Sequence, residues 1–319
     1  MSSGKGGRRH VAVPVGAVPD ERAVATAILS LVAPPSRRNV YWTAGHGEYD
    51  FADYGPRGMS DIARELARDG YSNHVLGFAE TAIVPRDCAL VIVAGAREDF
   101  SRTELDSLEA YLRQGGRLLV LFSADEGGVA SLLPSWGLRA EAIQTVGLPT
   151  QTGSDVLISE FSDHVVAAPL TGSRIALDHP LAFAPSSAVE NGIGADRTDF
   201  TPLASVRGIA LAAAVERGAA TGKDLALRPT RIVAVGDATF AVNAPLEQRG
   251  NANRDFFLNA VAWLSGTDAV VSAGTSGAVF TSGMDRAART QFLLDAGLAA
   301  PSAVFLLLLT MTWVRRRRT

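Results

Sequence analysis

Two unbroken apolar stretches of strand length constrain this chain most: Ala89-Leu90-Val91-Ile92-Val93-Ala94 and Leu118-Leu119-Val120-Leu121-Phe122. A strand with one wet face alternates apolar and polar residues, whereas a continuous run fits a strand covered on both faces, as in a parallel sheet. Between the two lies Ser101-Arg102-Thr103-Glu104, a capping box. It opens a helix with Leu105, Leu108 and Leu112 inward, stopped by Gly115-Gly116. Upstream, Val40-Tyr41-Trp42-Thr43 reads as a strand running into the turn Gly45-His46-Gly47. Met59, Ile62, Ala63 and Leu66 then recur at helical spacing, and His74 to Phe78 reads as a further strand. Strand, helix, strand, strand, helix, strand over residues 40–122 predicts a doubly wound α/β domain with a mostly parallel sheet.

The rhythm changes on either side of this core. In segment 1–38, Val11 to Val18 is expected to form an edge strand, and Asp20 to cap a helix that Pro34-Pro35 stops. The first part of the core spans 39–144. Residues 145–228 carry short apolar runs broken by Gly, Pro, Ser and Asp, and read as an irregular, β-rich insertion, partly exposed. The core returns over 229–268, through Arg231 to Val235 and a helix with Phe257, Ala260, Val261 and Leu264 on one face. A Gly/Ser/Thr-rich spacer follows over 269–295. Ala296 to Val314 contains no charge, and its nineteen residues would reach roughly 28 Å as a helix, close to a bilayer's hydrocarbon thickness. Trp313 and the basic tail 315–319 complete the pattern of a transmembrane helix with a stop-transfer flank. Basic residues flanking a span are retained inside, so the C-terminus is expected in the cytoplasm and the body outside it, at a bacterial inner membrane.

Charge and cysteine content exclude several classes. Lys+Arg 30 against Asp+Glu 33 gives a net charge of −3, and −7 once Arg315 to Arg318 are set aside, so no nucleic-acid partner is expected. The single cysteine, Cys88, rules out an intramolecular disulfide framework and cysteine-rich metal sites. Cys88 lies at the entrance of a strand, the wrong end for a nucleophile elbow, and Phe122-Ser123-Ala124-Asp125 lacks the flanking glycines that such an elbow needs. No P-loop is present.

Ligands of an open α/β sheet bind beyond the carboxyl ends of its strands. Four segments should meet there: Gly45-His46-Gly47-Glu48, Gly95-Ala96-Arg97, Ser123-Ala124-Asp125, and Gly236-Asp237 with Asn243. The candidate ligand or partner crest is therefore Gly45, His46, Gly47, Glu48, Asp125, Asp237 and Asn243. His46, Glu48, Asp50 and Asp53 are the best metal-like cluster, but nothing in their spacing makes them converge, so no metal, cofactor or catalytic residue is assigned. His46 is expected on a solvated loop, where His46→Ala would be nearly neutral, and at least one of Gly45 and Gly47 is expected to need a positive φ.

Val40 to Glu48 resembles the opening of the extracytoplasmic domain of gliding-motility-associated (GldG-like) ABC transporter auxiliary proteins. So do Glu104 to Leu112 followed by Gly115 to Leu121, and Val235 to Phe240 with Asn243, Gly250-Asn251 and Phe256 to Leu264. The resemblance covers roughly residues 20–268 and the terminal anchor. Longer members carry a membrane helix and another domain upstream of the G-H-G-E turn; here about forty residues precede it. An intraflagellar transport subunit and trehalose-utilisation-like proteins share the same amidotransferase-like scaffold. The family implies a non-catalytic, membrane-anchored subunit beside an ABC permease and an ATPase. The alternative is an amidotransferase-like or sugar-processing enzyme using His46, Glu48 and Asp237.

Overall fold

The computed structural model describes residues 39–78, 83–123, 127–145, 147–150, 155–186, 198–218, 229–247 and 250–266. The expected N-terminal strand and helix, Asp125, the spacer, the 296–314 span and the basic tail lie outside the described residues.

Five parallel strands form one half of the sheet. They are β1 (Asn39–Ala44), β2 (Ser72–Gly77), β3 (Cys88–Ala94), β4 (Arg117–Leu121) and β12 (Thr230–Val235), in the order β2-β1-β3-β4-β12. The unbroken apolar runs explain their depth. Along β3 and β4 alternate side chains enter two different cores, as the two-residue period of a strand requires. Leu90, Ile92, Leu119 and Leu121 pack with Ile62 and Leu66 of α1 (Ser60–Arg68) and with Phe256, Phe257 and Val261 of α4 (Asn253–Ser265). Val91, Val93, Leu118 and Val120 face the other way, onto Leu108 and Leu112 of α2 (Arg102–Arg113) and onto Trp136. The capping box forms as read: Ser101 accepts from the Glu104 amide, and the Glu104 carboxylate accepts from Ser101 N–H at 2.7 Å.

The other half corrects the expected fold. Most described strands of residues 145–228 are not an excursion from a mostly parallel sheet; they extend it. β10 (Thr198–Val206) and β11 (Ile209–Arg217) form a long hairpin, and β11 runs antiparallel against β12 with Ala213 opposite Ala234. β7 (Glu160–Phe161) adds to β10, while β9 (Ala182–Pro185) pairs with β11 and with β5 (Leu138–Glu141). Among the described residues the ten-stranded sheet thus has four parallel pairings against five antiparallel ones: it is mixed. A separate pair, β6 (Asp155–Ile158) and β8 (Ile175–Asp178), lies against the α4 face through Val156, Ile158, Ile175 and Leu177. The fourth helix described, α3 (Asn243–Glu247), is a short turn ahead of α4. Strands dominate, and no described helix is long and apolar enough to cross a membrane. The expected doubly wound, mostly parallel fold is therefore replaced by a mixed sheet with few helices, and no membrane-spanning helix occurs among the described residues.

The hairpin was hidden by its turn. Val206 pairs with Ile209, so Arg207-Gly208 forms a two-residue loop with φ +50° and +79°. Such turns favour Asn or Asp at the first position, and arginine there gives no signal. Alanine-rich β11 likewise has weak strand propensity; burial of Ala210 through Val215 holds it in place.

Candidate functional site

The exits of the parallel strands carry the polar crest. Beyond β1 the chain turns through Gly45 (φ +119°) and Gly47 (φ +78°), so both glycines use the left-handed region. The turn folds against the exit of β3, where the His46 carbonyl accepts from the N–H groups of Arg97 (2.8 Å) and Glu98 (3.0 Å). Tyr49 N–H donates to the Ala94 carbonyl at 2.8 Å and completes the strap.

His46 is not a solvated loop residue. Its side chain is 13% exposed, and its ring stacks on Phe100 at 4.0 Å between centroids. Nε2 lies 3.3 Å from Glu104 Oε2, and Nδ1 lies 3.6 Å from Glu48 Oε1. Glu48 is 3% exposed and accepts from the His46 amide at 2.7 Å. Burial alone would raise the Glu104 carboxyl, but Ser101 and the His46 ring outweigh it and hold Glu104 below the usual glutamate range. Sequence reading assigned Glu104 to its helix cap alone. It also joins the cluster, because the capping carboxylate of α2 faces the β1 turn. We expect His46→Ala to lower stability by about 1–2 kcal/mol, through lost ring stacking and a buried carboxylate left without its neighbour. Urea unfolding midpoints of the variant against wild type measure this.

Asp237 sits in a different setting. It follows Gly236 at the exit of β12 and is 4% exposed. Its carboxylate accepts from Asp178 N–H (2.8 Å), Thr239 N–H (2.7 Å) and the Thr239 hydroxyl (2.8 Å). Burial nonetheless pushes its pKa up to about 6; the three hydrogen bonds pull it down, and the Asp178 carboxylate adds to the rise. Asp237 lines a cavity of about 330 Å³ with Tyr49, Arg57, Arg97, Phe122, Ser123, Asp178, His179, Ala238 and Thr239. The Asp178 carboxylate meets His179 Nδ1 at 2.7 Å, and His179 holds a strained φ of +43°. The Arg97 guanidinium lies over the Tyr49 ring, 5.4 Å from its centroid. Arg57, Asp178 and His179 were not expected here: the first lies in a loop after β1 and the others at the end of β8, and a single sequence does not bring those segments together.

The remaining candidates do other work. Asn243 is 5% exposed, and its side-chain amide donates to the carbonyls of Gly55 (2.7 Å) and Asp53 (3.2 Å) and to Ser60 Oγ (3.2 Å). Its oxygen accepts from the Asp61 amide at the start of α1 (3.0 Å). Asn243 therefore pins the 53–61 loop to α3, and its polar side chain is fully engaged. Asp50 and Asp53 accept from the amides of Ala52 and Gly55 in their own turns, both at 2.7 Å. No group of three potential ligands that could hold a metal occurs among the described residues. Cys88 lies at the start of β3 with Sγ 3.7 Å from the Tyr111 hydroxyl, and burial pushes its thiol up to about 12, far from a thiolate nucleophile.

No family model matches the sequence, and no curated protein matches it. Solved structures do. The N-terminal domain of mmIFT52 superposes with a TM-score of 0.53 at 15% identity, covering 71% of this chain and 97% of that domain. At that identity the likeness is one of fold. Weaker matches are an exo-beta-1,4-mannosidase, Op5Man5, from Opitutaceae bacterium strain TAV5 (TM-score 0.41, 12% identity, 77% of this chain and 37% of that one) and a putative ThuA-like protein from Bacteroides uniformis ATCC 8492 (TM-score 0.38, 11% identity, 72% and 91%).

Proposed function

We propose that this chain is a non-catalytic binding and interaction module, the auxiliary subunit of an ABC-type transport system. It works beside a permease and an ATPase at a bacterial inner membrane, with its folded domain on the extracytoplasmic side. The observation that carries the non-catalytic reading is the packing of His46 between β1 and β3, even though Gly45, Gly47, Glu48 and Tyr49 line a cavity of about 290 Å³ at the β1 exit. β1 lies between β2 and β3, so its exit is where an open α/β sheet opens a ligand crevice. Here the His46 carbonyl closes that gap on Arg97 and Glu98, and the His46 ring is held by Phe100, Glu48 and Glu104. A general acid or base needs a path to a substrate proton, and this imidazole is enclosed.

The enzyme alternative requires His46, Glu48 and Asp237 to act at one point. The hydrogen bonds of Asp237 go to Asp178 and Thr239, and its cavity is lined by neither His46 nor Glu48. One observation favours that alternative: a carboxyl that titrates near pH 6 at the wall of an open cavity. The auxiliary-subunit reading rests further on the resemblance of the β1 turn, the α2–β4 segment and the β12–α4 segment to GldG-like proteins. It is tested by what the intact protein brings with it when purified from its own cells: a permease and an ATPase.

A further inference from the structure

We infer that the cavity beside Asp237 is a binding site for a small phosphate monoester with a hydroxylated body, held at its phosphate by Arg57 and Arg97. The inference rests on the module reading in one respect, that the ligand is bound without being altered.

Charge placement carries the argument. Arg57 and Arg97 line the cavity and are exposed, and neither guanidinium pairs with a carboxylate among the described residues. Several other arginines of the domain do pair, such as Arg64 with Asp61, Arg68 with Glu65, Arg113 with Glu109 and Arg231 with Glu216. Two unneutralised guanidinia at one cavity make a site for an oxyanion, because each fork offers parallel N–H donors matched to phosphate oxygens. Tyr49 and Ser123, which carry hydroxyl groups, also line the cavity. Five or more donors suit the three peripheral oxygens of a phosphate monoester better than the two of a carboxylate.

Two carboxylates of the same lining select the body of the ligand: Asp237 is buried, Asp178 borders the cavity with it, and both are acceptors. Carboxylates repel a second anion but accept hydrogen bonds from hydroxyl groups. The Thr239 hydroxyl already donates to Asp237, so toward a ligand it offers only lone pairs. Two guanidinium groups and two carboxylates lining one cavity together favour a ligand with an anionic end and a donor-rich end. The volume of about 330 Å³ lies at the small end of ligand pockets, the size of a triose or hexose phosphate rather than a nucleotide. The carbonyl of Arg97 also lies within 2.6 Å of where a Cβ at Gly127 would stand, so the backbone bearing this arginine is packed in place.

Isothermal titration of the purified full chain with glycerol 3-phosphate and glucose 6-phosphate tests the inference, with glycerol, glucose and inorganic phosphate as comparisons. Saturable binding of a phosphate ester, about tenfold or more tighter than either neutral polyol, is expected. Arg57→Met and Arg97→Met should each weaken it about tenfold, with Arg97→Lys falling between, while Arg102→Met on α2 leaves it unchanged. Both cavity arginines are exposed, and unaltered melting of the variants confirms that folding is intact. Phosphorus NMR of the recovered ligand separates the two claims. An intact ester supports both the site and the module reading. A cleaved ester keeps the site and overturns the non-catalytic reading. Absence of saturable binding, equal binding of neutral polyols, or binding indifferent to both arginines overturns the inference and leaves the module reading standing.

Discussion

Gly236→Ala should cost about 3–5 kcal/mol, a large fraction of the stability of an ordinary domain. A Cβ at this position would stand 2.2 Å from the Leu181 carbonyl oxygen and 2.8 Å from the Leu181 nitrogen. Both are backbone atoms, so no side-chain rotation relieves the clash. The segment cannot withdraw freely either. Gly236 accepts from Leu181 N–H and donates to the Leu211 carbonyl, both at 2.9 Å, and so ties the exit of β12 to the approach of β9 and to β11. Leu181 and Phe183 are themselves buried in the α2-side core. Gly77→Ala is the matched control: nothing stands within 4 Å of its added Cβ, and its φ lies outside the left-handed region. It should change stability by less than about 0.5 kcal/mol. Denaturant unfolding of the two variants gives the comparison. Similar losses in both would mean that the β12 exit is not packed as described.

The second large effect is a pH dependence set by Asp237. Its folded pKa of about 6 lies above the unfolded value of 3.8, so between these values the native state binds more protons than the unfolded one. Stability must then fall as pH rises through that window. The contribution is fully present below about pH 4 and lost through about pH 6, and beyond that it is flat. A gap of about two pKa units corresponds to about 3 kcal/mol. Urea unfolding of wild type and Asp237→Asn at pH 4.5 and pH 7.5 isolates it. The stability of wild type relative to the variant should decrease toward the higher pH, and an increase would reverse the sign of the shift assigned to burial.

The core strands were legible because burial on both faces writes itself as Ala89–Ala94 and Leu118–Phe122. The capping box of α2 and the apolar stripe of α1 were equally local signals. Strand direction was not legible. Whether β12 is followed in space by a parallel or an antiparallel neighbour depends on pairing with β11, and residues 209–217 carry no local mark of it. Of the candidate site, the positive φ of Gly45 and Gly47 could be anticipated from their residue type. The enclosure of His46 could not, because Phe100 and Glu104 reach it from the far side of β3. Asn243 and Asp237 share one segment, yet one pins a loop and the other lines a cavity. That difference lies in tertiary partners more than 50 residues away in sequence, such as Gly55 and Asp178.

The central claim is that this domain serves a transport assembly as a partner and not as a catalyst. The direct measurement is affinity purification of the intact, tagged chain from its native cells in mild detergent, with mass spectrometry of the associated proteins and a turnover assay on the same sample. The account predicts a membrane permease and an ATPase recovered in amounts comparable to the tagged chain, with no hydrolysis of glutamine or model glycosides that Asp237→Asn removes. Recovery without such partners, together with a hydrolytic activity lost in Asp237→Asn, would contradict it.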